Sequence, residues 1–218
     1  MLLSINGKVT VESITSIFHS LVNLFSVKIE QDTVFAQRGL WAELFFMQKY
    51  GGFEFWASSW HSEPTRTFDF SAANLRTEIK CTIRPERIHE FSHSQLVSIS
   101  DDKIVIVSYL LQEDDSGTSL QELIENAIGK FRGTHHFIKL ERAIRKVNMN
   151  NPENTGPKFN PNHAMQNVAW FRSLDIPKFP IREPTGVTDT HYKSDLTQTP
   201  RLSEDEINTW KSEWGKIN

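Results

Sequence analysis

Two periodicities alternate along the chain. From residue 10 to 25 apolar positions recur every three or four places, at Ile14, Ile17, Phe18, Leu21, Val22 and Phe25, with Thr10 or Ser13 as N-cap, which predicts a helix packed on the core. Ser26 to Ala36 predicts a short strand or connection. Helical spacing returns over Val34 to Tyr50, where Leu40, Glu43, Leu44 and Met47 share one stripe broadened by Trp41 and Phe45, and Gly51-Gly52 marks its end. The aromatic run FEFWASSW, Phe53 to Trp60, predicts the first strand of a sheet, and Ser62 to Thr67, with Pro64, a polar turn.

Period two takes over in TFDFSAANLRTEIKCT, Thr67 to Thr82. Glu78 and Lys80 then point to one face, about 6 to 7 Å apart, while Leu75, Thr77, Ile79 and Cys81 point to the other. A turn at Ala72, Ala73 and Asn74 makes a hairpin that brings Asp69 opposite the Glu78 end. Ile83 to Arg87 predicts a loop or sheet edge, His89 to Phe91 a short strand, and Ser92 the start of a helix carrying Gln95. KIVIVSYLL, Lys103 to Leu111, predicts a central strand covered on both faces. Asp114 to Gly117 predicts a loop, and Ser119 with Glu122 a capping box opening a helix that stops near Gly133. A further helix is predicted over His135 to Met149, a loop or linker over Asn148 to Met165, and a strand at VAWFRS. The two prolines of DIPKFP rule out a regular central strand. Glu183 to Leu202 predicts irregular chain, and Ser203 with Glu206 opens a last helix whose stripe is Ile207, Trp210 and Trp214.

The succession predicts an α/β fold, a compact mixed sheet between helices. With 218 residues, one domain with an extension is expected: residues 1–33 as a helical extension packed on the core, 34–150 as the core, and 151–218 as a C-terminal extension of strand, loops and short helix. The net charge of −3 excludes a global basic field, so a nucleic-acid surface must be a local patch. The single cysteine, Cys81, excludes an intrachain disulfide or a cysteine-built zinc site and sits on the apolar side of its strand. Lys8 and Glu12 interrupt the first segment, which predicts neither signal peptide nor membrane span, and a cytoplasmic location.

Two carboxylates, Asp69 and Glu78, converging from neighbouring strands beside Lys80 suit a hard cation such as magnesium, held by one or two carboxylates plus water and phosphate oxygens. Lys80 then positions or deprotonates an attacking water, or offsets developing charge. The plainer alternative is a solvated Glu-x-Lys pair. Glu43 falls inside an apolar stripe, where an unpaired carboxylate is costly, so it is a candidate third acid at one cation site; the alternative is an ion pair at the stripe's edge. Arg76, Arg84 and Arg87 form the best candidate basic cluster for phosphate, against the alternative of ordinary surface arginines. The basic face of the helix at 135–149 (Lys139, Arg142, Arg145, Lys146) offers a second such patch or a solvated surface, and His89 and His93 are expected at the surface or in caps.

A helix with Glu43, a strand with Asp69, a strand with Glu78-Ile79-Lys80, then Ser92-His93-Ser94-Gln95-Leu96, resembles the PD-(D/E)XK nuclease superfamily. More narrowly, RGLWAELFF, FDF, EIKCT, Gln95-Leu96 and DIPKFP resemble a prokaryotic family of PD-(D/E)XK motif proteins, encoded near DNA methyltransferases and ATPases of restriction-type defence loci. The likeness covers roughly residues 34–182, and the proline that names the motif is absent, since Thr67 and Phe68 precede Asp69. It implies a restriction-endonuclease-like core, with helical N-terminal and irregular C-terminal extensions. It also implies Asp69 and Glu78 as metal ligands, with the Ile79 carbonyl reaching the ion, Lys80 as catalytic lysine, Glu43 as an additional acid and Gln95 in support. The function implied is a magnesium-dependent endodeoxyribonuclease, with manganese as a substitute, acting on DNA as a homodimer in restriction or anti-phage defence, in company with a methyltransferase or ATPase. A non-catalytic DNA-binding or scaffolding subunit is the alternative, and an RNA or junction nuclease would share the same site.

Overall fold

The computed structural model describes residues 11–61, 66–97, 101–149, 155–179 and 184–217. The chain opens on one continuous helix, α1 (Val11–Lys49), running straight through the segment expected as a strand or connection. No proline or glycine stands between residues 26 and 36 to interrupt i to i+4 bonding. The helix stops where Gly51 and Gly52 take positive φ, at 119° and 89°. Its second half is core: Leu40, Trp41, Ala42 and Leu44 to Met47 are buried. Ile14, Ile17 and Phe18, expected on the core, are exposed, while Leu21, Val22 and Phe25 of that stripe lie outside the described side chains.

FEFWASSW is not a strand. It forms a helical turn, α2 (Phe53–Trp56), and winds on so that Phe53, Trp56, Ala57 and Trp60 are all buried. Their i, i+3, i+4, i+7 spacing is helical, and burial of three large aromatic groups and an alanine on one side outweighs the strand propensity of the aromatics. Trp56 Nε1 donates to the Tyr50 carbonyl (2.7 Å), and Lys139 Nζ donates to the carbonyls of Ala57 (3.0 Å), Ser58 (3.1 Å) and Trp60 (2.9 Å).

Next come β1 (Phe70–Ala72) and β2 (Leu75–Thr82), an antiparallel hairpin whose register pairs Phe70 with Thr77 and Ala72 with Leu75 across the expected turn. After β3 (Ile88–Ser92) and the short α3 (His93–Leu96), β4 (Lys103–Leu110) lies parallel to β2. The expected loop at 114–117 is part of β5 (Glu113–Ser119), which leads into α4 (Leu120–Phe131) and α5 (Phe137–Lys146). The capping box of Ser119 and Glu122 is formed as expected. Within the expected linker, β6 (Lys158–Phe159) pairs with β5, followed by α6 (Pro161–Gln166). Gly117 permits that pairing, because a Cβ there would stand 2.4 Å from the Phe159 carbonyl oxygen.

The fourth strand of the main sheet is β7 (Val168–Arg172), antiparallel to β4, giving the order β1-β2-β4-β7 with β4 central, as expected. A 3-10 turn at Ser173–Asp175 follows. The polar stretch expected to be irregular contains β8 (His191–Asp195), which pairs with β3 in a two-stranded ribbon. α7 (Glu204–Gly215), capped by Ser203 and Glu206, docks Trp210 and Trp214 against Trp56. Trp170 meets Trp210 edge-on, so one indole cluster fastens the end of the chain to the sheet.

The expected α/β class is present: helices α1 and α4 pack on the sheet face bearing Leu75, Val105, Val107 and Tyr109. On the opposite face Ile104, Ile106, Ala169 and Phe171 pack with Phe91 and Leu96. The boundary expected at 33/34 falls inside α1, and β7, from the expected C-terminal extension, is integral to the sheet. Among the described residues no helix is long and apolar enough to cross a membrane.

Candidate active site

Continuing the hairpin register by one residue sets Asp69 opposite Glu78, so Asp69, Glu78 and Lys80 share the sheet face turned toward β3 and α3. Asp69 Oδ2 accepts from the Ile79 N–H (2.7 Å), and the Asp69 N–H donates to Glu78 Oε2 (3.3 Å). Glu78 is buried, and its Oε1 accepts from Lys80 Nζ at 2.8 Å and from Gln95 Nε2 at 2.7 Å. The Lys80 ammonium lies 5.0 Å from the centre of the Phe91 ring.

Gln95 ties this cluster to α3. Its Nε2 also donates to the Thr67 carbonyl (2.9 Å), while its Oε1 accepts from the Ser92 N–H (3.1 Å) and from Lys80 Nζ (3.4 Å). One amide therefore completes the capping box of α3 and braces the carboxylate and the ammonium together.

Glu43 stands back from the pair. Its Oε2 accepts from the Trp60 indole N–H (2.8 Å), and it lines a cleft of about 300 Å³ with Asp69, His61, Arg66, Phe68 and Lys146. Burial pushes its carboxyl up to about 7, the Trp60 bond opposing and the charge of Glu78 adding to the rise. Burial also holds Asp69 well above the usual carboxylate range, reinforced by the charges of Glu78 and Glu43. For Lys80, burial works against the charged form, yet the bond and charge of Glu78 and the charge of Asp69 outweigh it, so the ammonium is held above its ordinary range. Lys80 is thus protonated at neutral pH, a donor rather than a base.

Negative charge pressing on Asp69 is the electrostatic condition a bound cation relieves. A strand residue directs its N–H and C=O to the same edge, so Ile79, whose N–H meets Asp69, opens its carbonyl beside the same carboxylate. Two carboxylates and a carbonyl fit a hard cation that keeps several waters. Among the described residues no three His, Cys, Asp or Glu side chains lie close enough to hold an ion between them; Glu43, expected as a third acid, acts on Asp69 through its charge.

The three arginines expected as a phosphate-binding cluster are dispersed. Arg76 Nη1 donates to the Ala73 and Leu75 carbonyls (both 2.8 Å), closing the hairpin, and Nη2 pairs with Asp102 (3.2 Å). Arg87 is buried, donating to the Ser108 carbonyl (2.7 Å) and hydroxyl (2.9 Å) and to the Asn167 carbonyl, so it is withheld from any phosphate. Arg84 is exposed in the bend beyond the end of β2, its N–H bonded to Thr82 Oγ1 (3.0 Å).

His89 and His93, expected at the surface or in caps, are buried as well, His93 as the first residue of α3. His89 Nε2 meets Ser108 Oγ (2.8 Å); burial, with Lys80 and Arg87 nearby, pushes its pKa down to about 3, and it is neutral. Of the expected basic face of the 135–149 helix, Lys146 borders the site. Arg66 and Lys146 line the cleft with Asp69, and Arg66, Ser92, Ser94 and His191 line a polar groove of about 510 Å³ into which Lys80 opens. A larger cavity, of about 670 Å³, lies between the start of β4 and α7 and holds none of these groups.

Residues 6–197 match the family model described as "Putative PD-(D/E)XK family member, (DUF4420)". No curated protein and no solved structure matches the chain.

Proposed function

The chain belongs to the DUF4420 family of PD-(D/E)XK proteins, with a restriction-endonuclease-like fold, and from this premise we propose that it is a magnesium-dependent endonuclease hydrolysing DNA phosphodiester bonds. The observation that carries the reading is the meeting of Asp69 and Glu78 across the hairpin with Lys80 Nζ 2.8 Å from Glu78. Asp69, Glu78 and the Ile79 carbonyl would hold the ion; manganese, with the same preference for oxygen ligands, would substitute. A bound magnesium ion supplies positive charge against the phosphate and acidifies water.

The chain's own groups do the rest. Gln95 and Lys80 hold the Glu78 carboxylate in one orientation, and the Ile79 N–H holds that of Asp69. Lys80, protonated, donates to a water or to a phosphate oxygen and offsets charge that grows in the transition state. Glu43 keeps the cleft acidic from behind, raising the demand for a cation. A cut through both strands needs two such centres, which favours a homodimer. The defence setting implied by the resemblance makes cytoplasmic restriction of phage DNA the cellular role, beside a methyltransferase or ATPase.

The test is incubation of plasmid, linear and single-stranded DNA with the wild type, Asp69→Ala and Lys80→Ala, with magnesium, manganese or EDTA. Divalent-dependent cleavage lost in both variants supports the reading. Equal cleavage by all three proteins refutes it, and intact ion binding with no cleavage of any substrate supports a scaffolding subunit instead.

A further inference from the structure

The two clefts beside the acid–lysine cluster share a wall. Arg66, exposed, lines both the cleft that holds Asp69 and Glu43 and the groove into which Lys80 opens. On the first side Lys146 stands near enough to Glu43 for its charge to lower that acid's pKa. On the second, the hydroxyls of Ser92 and Ser94 lie 3.1 Å apart along the wall, and His191 Nδ1 faces Asp189 at 3.5 Å. Glu90 and Asp189 also border the groove, so its cationic groups are Arg66 and Lys80 beside two carboxylates.

Resting on the nuclease reading above, we propose that the two clefts form one track for a strand of duplex DNA, with Arg66 binding the phosphate next to the one cleaved, Lys146 a phosphate on the Asp69 side, and Ser92 and Ser94 the backbone on the Lys80 side. Guanidinium, ammonium and hydroxyl donors are the groups that hold sugar–phosphate backbone, and an arginine fork meets two phosphate oxygens at once. A single strand presents unstacked bases that need ring faces, and of phenylalanine, tyrosine and tryptophan the two clefts present, among the described residues, Phe68 alone. A duplex keeps its bases stacked and asks only for the backbone contacts the track supplies.

The experiment is fluorescence anisotropy of a labelled duplex and of its single strand over a salt series, with calcium in place of magnesium, for wild type, Arg66→Ala, Lys146→Ala and Lys216→Ala. Lys216, exposed at the end of α7, serves as the charge control. The wild type is expected to favour duplex. Arg66→Ala and Lys146→Ala are each expected to weaken duplex binding about eightfold at ~0.1 M salt and to lower the slope of log K against log salt by about one, the counterion share of one phosphate contact. Lys216→Ala is expected to change neither, and melting temperatures to stay level across the four proteins. An unchanged slope in Arg66→Ala, an equal fall in Lys216→Ala, or preference for the single strand overturns the track. Wild-type protein that cleaves DNA through Lys80 while Arg66→Ala binds normally rejects the track and leaves the nuclease reading standing; wild-type protein that neither binds nor cleaves rejects both.

Discussion

Replacing Glu43 by glutamine tests the electrostatics of the site without touching the proposed ligands. Glutamine keeps the shape and an oxygen for the Trp60 N–H, which Glu43 meets at 2.8 Å, but it cannot ionise. Burial pushes the Glu43 carboxyl from 4.5 up to about 7. Between those values the folded chain keeps a proton that the unfolded chain has released, so stability falls as pH rises through the interval and stays lower above it. At about 1.4 kcal/mol per pKa unit the full loss is ~3 kcal/mol. The side chain lines an open cleft, and solvent screening reduces this to about 2 kcal/mol. Urea unfolding of both proteins in EDTA, at pH 5 and at pH 8.5, measures it. Glu43→Gln is expected to gain about 2 kcal/mol on the wild type between the two pH values. A gap that does not change with pH refutes the buried-acid account, and a gap that moves the other way would mean that ionised Glu43 is stabilised by a cationic partner.

Gln95→Ala removes the donor to Glu78 at 2.7 Å and the acceptor for the Ser92 N–H; divalent-ion affinity measured by calorimetry is expected to fall about 10- to 100-fold, and an unchanged affinity would contradict the bracing role. Trp214→Ala empties the centre of the indole cluster around Trp56 and Trp210; chemical denaturation should show a loss of about 3–5 kcal/mol with ion affinity intact below the transition, and a loss under 1 kcal/mol would argue that α7 is not docked as described.

Much of the site was legible because it rests on local rules. The alternation of Leu75 to Thr82 located Glu78 and Lys80 on one face, and the two residues between the strands carried Asp69 to its partner. Capping boxes at Ser119 and Ser203 marked two helix starts correctly, because that signal is contained in four consecutive residues. Long-range facts were not legible. FEFWASSW carries both strand propensity and helical spacing, and distant partners decide between them: Phe46, Phe70 and Trp210 for Trp56, and Phe131 for Phe53 and Trp60. β5 is polar, β6 is only two residues long, and β8 buries a serine, Ser194, at its inward position, so no alternation of apolar residues betrays them. Arg76 and Arg87 looked like phosphate ligands, yet they close a hairpin and span β4 to the Asn167 carbonyl. Arg66 and Lys146 reach one cleft from positions 80 residues apart, a meeting no local pattern encodes.

Metal-dependent cleavage requires Asp69 and Glu78 to share one cation beside Lys80. Calorimetric titration of manganese into wild type, Asp69→Asn and Glu78→Gln, each shown to be folded in EDTA, addresses this directly. One ion per chain in the wild type and none in either variant is the predicted result; binding that persists unchanged in both variants would contradict it.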